Sequence, residues 1–143
     1  MRVLKAFAAL VALTALLVAA TACEQDPYRY RCDIVSAPES IAKGRVLTVG
    51  VRYSNLGRYG WYDGNTNPVL TYYGDGRVLA EATPKDPDYW VGSGESVRLW
   101  FERGTGDFPR GRIRVTARMY RASVGNTTTL MPGTGCSRYI RIT

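Results

Sequence analysis

The sequence predicts an all-β domain in which two antiparallel sheets pack face to face. Three observations lead there. Apolar and polar residues alternate in several runs, breaks rich in Gly, Pro and Asn separate those runs, and no segment after residue 22 carries the periodicity of a helix. The runs are crowded with Val, Ile, Thr and Tyr, which suit a pleated, half-buried surface. About seven or eight strands are expected, the number of a sandwich. A closed barrel is the alternative that the same pattern allows.

The chain opens with MRVLKAFAALVALTALLVAATA, where Arg2 and Lys5 precede an apolar run from Ala6 to Ala20 and small residues lead into Cys23. That is the layout of a secretory signal over residues 1–22. The run falls short of the about 20 apolar residues that cross a bilayer, and Glu24, Gln25 and Asp26 follow at once. Ala20-Thr21-Ala22-Cys23 resembles the lipobox of bacterial lipoproteins, with Ala20 where leucine is usual. The resemblance implies a diacylated Cys23 as the mature N-terminus and a chain anchored in the cell membrane or outer membrane. The same residues also satisfy the Ala-x-Ala rule of ordinary cleavage, which would release a soluble protein.

The cysteines are Cys23, Cys32 and Cys136. An exported chain meets an oxidising compartment, and with Cys23 lipidated the other two remain as an even pair, which would staple the first strand to the last. Neither histidine nor a Cys-x-x-Cys pair accompanies them, so no metal is expected.

Residues 23–31 read as a polar tether and 32–143 as the domain. Cys32 to Val35 is a short first strand ended by Ala37-Pro38. Residues 45–54 give the clearest strand, with Leu47, Val49, Val51 and Tyr53 on one face and Val46, Thr48, Gly50 and Arg52 on the other. A long aromatic loop then runs to Pro68. Val69 to Tyr73 and Arg77 to Ala82 form a hairpin about Gly74-Asp75-Gly76. Tyr89 to Val91 is a brief edge strand, and Val97, Leu99 and Phe101 oppose Arg98, Trp100 and Glu102 in the next. In the following strand Ile113, Val115, Ala117 and Met119 face the core, while Arg112, Arg114, Thr116, Arg118 and Tyr120 face away. Tyr139 to Ile142 closes the domain.

The stretch from Pro38 to about Met119 resembles the immunoglobulin-like modules of bacterial surface proteins, especially the cell-adhesion-related CARDB family. The resemblance is carried by Ser54-Asn55-Leu56-Gly57 after the second strand, by Leu70-Thr71-Tyr72-Tyr73-Gly74-Asp75-Gly76, by Ser93-Gly94-Glu95-Ser96-Val97 and by the strand after Gly111. It implies an immunoglobulin-like sandwich that binds or spaces at the cell surface, without catalytic residues or cofactors.

The chain has no histidine, which removes the usual general base and the Ser-His and Cys-His nucleophile pairs. Asp63-Gly64-Asn65-Thr66-Asn67 begins like a calcium loop, but Pro68 stands where glycine is needed and Gly74 where the bidentate Glu belongs. A plain turn is the expectation. Two groups remain as candidate ligand contacts. Tyr59, Trp61 and Tyr62, joined by Tyr89 and Trp90, supply rings of the kind a sugar or peptide groove uses, or they fold back over the end of the sandwich. Arg112, Arg114 and Arg118 share a strand face, with Arg98 expected on a neighbouring strand and Arg110 and Arg121 at the strand ends.

With Arg2 and Lys5 removed, 17 of the 19 basic residues remain against 12 acids, a net charge of +5. Guanidinium groups bind phosphate and carboxylate bidentately, so the stripe suits an anionic envelope polymer, lipid headgroups or an acidic envelope protein; nucleic acid is not expected in that compartment. The alternative is a solvated face that blunts aggregation. The resulting expectation is a non-enzymatic envelope lipoprotein, a binding or structural module. Its rival is an exported inhibitor presenting the 58–68 loop to a protease or lysozyme-like enzyme.

Overall fold

The structure, a computed structural model, describes residues 26–122 and 128–143. Its long strands are β1 (Tyr30–Ser36), β3 (Val46–Asn55), β5 (Thr66–Gly74), β6 (Arg77–Ala82), β8 (Ser96–Gly104), β9 (Gly111–Ala122) and β12 (Cys136–Ile142). Short strands fill the connections: β2 (Ser40–Ile41), β4 (Trp61–Tyr62), β7 (Trp90–Val91), β10 (Thr128–Leu130) and β11 (Gly133–Thr134). One sheet runs β11-β1-β3-β8 and the other β2-β12-β9-β5-β6, with β10 beside β9 and a separate β4-β7 ribbon. The two main sheets stay distinct, so the fold is the expected immunoglobulin-like sandwich and not a closed barrel.

The predicted alternation is realised. Leu47, Val49, Val51 and Tyr53 of β3 and Ile113, Val115, Ala117 and Met119 of β9 all lie in the core, with Tyr72, Phe101, Phe108 and Ile140 between them. Burying one such side chain contributes roughly 1.5–3 kcal/mol. Cys32 on β1 and Cys136 on β12, 104 positions apart in sequence, form a disulfide with Cα atoms 5.6 Å apart, tying one sheet to the other. Between β5 and β6 the two turn residues Asp75 and Gly76 both have positive φ, 52° and 71°, the geometry whose twist matches the flanking strands.

Three boundaries differ from those expected. β5 starts at Thr66, so Pro68 lies inside a strand; β6 reaches only to the Leu70–Ala82 pair, leaving Pro68 no neighbour on that side to need its missing N–H. Part of the aromatic loop pairs as the β4-β7 ribbon. The segment expected to be a tether lies on the domain from Asp26 onward, where the Arg58 amide donates to the Asp26 carbonyl (3.1 Å) and the Tyr59 amide to that of Pro27 (3.0 Å).

Candidate arginine and tyrosine site

The outward face of β9 carries Arg112, Arg114 and Arg118, as period two requires, and the neighbouring strands supply a tyrosine to each. β12 pairs with β9 on one side and β5 on the other, so Tyr139 and Tyr73 both stand opposite Arg114. The Arg112 guanidinium lies over the Tyr139 ring at 3.7 Å and that of Arg114 over the Tyr73 ring at 4.7 Å. Arg118 donates from Nη1 to the Tyr73 hydroxyl at 2.9 Å, and this hydrogen bond raises its pKa further. Stacking on aromatic faces holds a guanidinium in place without consuming its charge.

Among the described residues Arg112, Arg114 and Arg118 make no ion pair, whereas Arg52 pairs with Asp33, Lys85 with Glu102 and Arg103 with Asp107. Arg112, Arg114, Tyr73 and Tyr139 line a depression of about 480 Å³ together with Gly74, Asp75 and Gly76 of the hairpin turn, so one carboxylate shares its wall with the two guanidinium groups. Its two guanidinium groups outnumber the single Asp75 carboxylate and stand beside apolar ring faces, so it suits an anionic group borne on a small organic body.

Arg141 of β12 stands opposite Arg112 on the same outward face, but the other arginines expected from the sequence do not join them. Arg98 sits on β8 in the other sheet, opposite Arg52, because β8 pairs with β3 and not with β9. Arg121 is on β9 but at the far end, 4.3 Å over the ring of Tyr28. Arg110 precedes β9 and is exposed.

The aromatic candidates divide. Trp61 is fully buried, which removes it as a ligand contact. The β4-β7 ribbon pairs Trp61 with Val91, both inward, and Tyr62 with Trp90, both outward, so the faces follow from strand pairing. Tyr62 and Trp90 stack at 5.9 Å and Tyr59 packs on Tyr28 at 5.6 Å; all except Tyr28 are largely exposed. Tyr89 points its hydroxyl to Thr66, donating to the Thr66 carbonyl at 3.0 Å, and burial raises its pKa.

The loop does not project. Asn55, wholly buried, donates from Nδ2 to the carbonyls of Tyr59 (2.8 Å) and Val91 (3.1 Å) and accepts the Gly57 amide at 3.0 Å. Gly57 is needed because a Cβ there would stand 2.7 Å from the Pro27 carbonyl and 2.8 Å from the Arg29 amide. Ser93 donates to the Gly57 carbonyl at 2.6 Å, which brings the 92–95 turn onto the same knot. The Asn-Leu-Gly and Ser-Gly-Glu-Ser landmarks are therefore two halves of one hydrogen-bonded junction. In the Asp63–Asn67 stretch, Asn65 closes a turn by accepting the Tyr62 amide (2.9 Å) and donating to the Gly60 carbonyl (3.0 Å). No group of three or more Cys, Asp or Glu side chains gathers to hold a metal among the described residues.

Sequence reasoning missed Asn55, Tyr73 and Tyr139 as functional or organising residues. Tyr73 and Tyr139 lay on expected strands, but which strand each faces is a matter of sheet order.

No protein-family model and no curated protein matches the chain. Solved structures do. A CARDB domain from Pyrococcus furiosus, solved in complex with di-metal ions, superposes with a TM-score of 0.55 at 16% identity, over 84% of this chain and 92% of that one. Part of a β-glucosidase from Listeria innocua, solved in complex with glucose, matches with a TM-score of 0.51 at 13% identity, over 79% of this chain and 16% of the enzyme. At these identities the likeness is one of fold: the chain is a CARDB-like, immunoglobulin-like β-sandwich.

Proposed function

We propose that this is an exported lipoprotein, anchored through Cys23, whose sandwich acts as a non-enzymatic module that holds an anionic polymer of the bacterial envelope. The observation that carries the reading is the pair of guanidinium groups of Arg112 and Arg114, stacked on Tyr139 and Tyr73 and without an ion pair among the described residues. Nine positions of β9 separate Arg112 from Arg121, a rise of about 30 Å at roughly 3.3 Å per residue, and Arg121 lies at the end where Asp26 joins the domain. The basin thus lies at the end remote from the anchor, away from the headgroups of the anchoring membrane. The hydrogen bonds that tie the base of the 58–68 loop to Asn55 favour this reading over an inhibitor that presents the loop to an enzyme.

The test is binding of the mature protein to poly(glycerol phosphate), with and without Arg112, Arg114 and Arg118 replaced together by Gln. Arg112 and Arg114 are exposed and stacked on rings and Arg118 is half-buried with one hydrogen bond to Tyr73, so the variant should lose about 0.5–1.5 kcal/mol per site and remain folded. Binding should fall at least tenfold in the variant and weaken with salt in the parent. Absent binding, or equal and salt-insensitive binding by both proteins, would overturn the reading; binding only to an acidic envelope protein would transfer the site to that partner.

A further inference from the structure

The end of the sandwich at which Asp26 joins carries two ring pairs, half-buried Tyr28 with exposed Tyr59 and exposed Tyr62 with exposed Trp90. Tyr28 lies between the Arg121 guanidinium and Tyr59, and Arg58 lies over Tyr59 at 5.3 Å. Trp90 covers Gly60, where a Cβ would meet its indole at 3.0 Å, and stacks on Tyr62 with 18° between the ring planes. Trp90 is 69% exposed and Tyr59 50%, and Leu130 of β10 is also uncovered. One exposed ring would be ordinary, but Tyr59, Tyr62, Trp90 and Leu130 are uncovered at one end, and apolar groups gathered in that way mark a contact surface.

We propose that this end is a foot that rests in the interfacial layer of the bilayer, its occupant a lipid surface. The proposal builds on the lipid anchor at Cys23. Cys23 precedes Asp26 by three residues, which extend over at most about 11 Å. Asp26 and Pro27 are in turn held by the amides of Arg58 and Tyr59, so the anchor leaves the aromatic pairs no room to stand far from the lipid. The chemistry fits. Tyr and Trp partition to the boundary between headgroups and acyl chains, where an apolar ring is covered and its polar edge stays wet. Arg121 can lay its stem on the Tyr28 ring and reach a phosphate group. Asp26, Asp63 and Glu95 share this end, so its charge is mixed and the rings supply the attraction. The foot therefore sits on zwitterionic lipid and holds the arginine basin away from the membrane.

The experiment uses the lipidated protein purified from membranes and reconstituted into phosphatidylcholine vesicles carrying a spin label just below the headgroup. Trp61 is buried in the core and Trp100 lies on the outer face of β8 in the four-stranded sheet, so Trp90 is the reporter at the foot. The spin-labelled lipid should quench part of the tryptophan emission, and that quenched component should disappear in Trp90→Phe and persist in Trp100→Phe. Aqueous iodide should reach Trp100 but not Trp90. Intact mass on the same sample reads the anchor separately. A lipidated protein whose Trp90 ignores the bilayer quencher and yields to iodide overturns the foot while leaving the anchor standing. An unmodified Cys23 overturns both.

Discussion

Replacing Asn55 by Ala tests whether one buried side chain holds the anchor end together. The change removes three hydrogen bonds and leaves the Gly57 amide and the Val91 carbonyl buried without that partner; the Tyr59 carbonyl is nearer water. Each of the two orphaned buried groups costs about 1–3 kcal/mol and the partly solvated one roughly 1, which gives about 3–7 kcal/mol in all. That is a large share of the about 5–15 kcal/mol by which a domain is stable, and a Tm drop on the order of 10–20 °C should accompany it. Urea denaturation measures the total. Hydrogen exchange should place the loosening at residues 56–65 and 89–95, with β9 and β12 spared until global unfolding. Asn55→Asp sharpens the test, since it keeps an acceptor for Gly57 but turns a carboxylate toward two carbonyls. It should be at least as unstable as Asn55→Ala at neutral pH and recover partly in acid, where the protonated carboxyl can donate again. A loss under about 1 kcal/mol for Asn55→Ala, or exchange spread evenly over the sheets, would refute the reasoning.

Removing the disulfide by Cys32→Ala with Cys136→Ala should cost about 4–5 kcal/mol in the chain-entropy account, because the bridge closes a loop spanning 104 positions; a calorimetric loss below about 2 would show that the sheets need no staple. Stability should also fall in alkali. Tyr72 is buried with its hydroxyl unpartnered among the described residues, and desolvation pushes its pKa up to about 12, while burial also raises those of Tyr30 and Tyr53. A raised folded-state pKa means stability that is complete below pH 10 and lost as pH climbs from 10 toward 12, with Tyr72 alone worth about 2–3 kcal/mol. Urea midpoints across pH 8–11.5 check this, and Tyr72→Phe should flatten the decline; an unchanged slope in that variant would assign the alkaline loss elsewhere.

Much of the strand pattern was legible because alternation is a local property. Successive side chains of any strand point to opposite faces, so Leu47 to Tyr53 and Ile113 to Met119 could be assigned inward before any partner strand was known. The disulfide followed from counting thiols. The aromatic loop was harder. Trp61 and Tyr62 are adjacent, and nothing near them says which one turns inward until β4 finds β7 thirty residues further on.

What the sequence determined by itself was the class of fold, the inward and outward sets of the long strands, the cysteine pairing and the basic surface, each a matter of composition or of spacing within one segment. Only the tertiary structure decided which outward residues meet. Arg98 had the right alternation but went to the other sheet, while Tyr73 and Tyr139, separated by most of the domain, came to flank Arg114 because β5 and β12 pair on either side of β9. Strand order arises from burying every apolar face at once, a property of the whole chain that no single stretch of residues encodes.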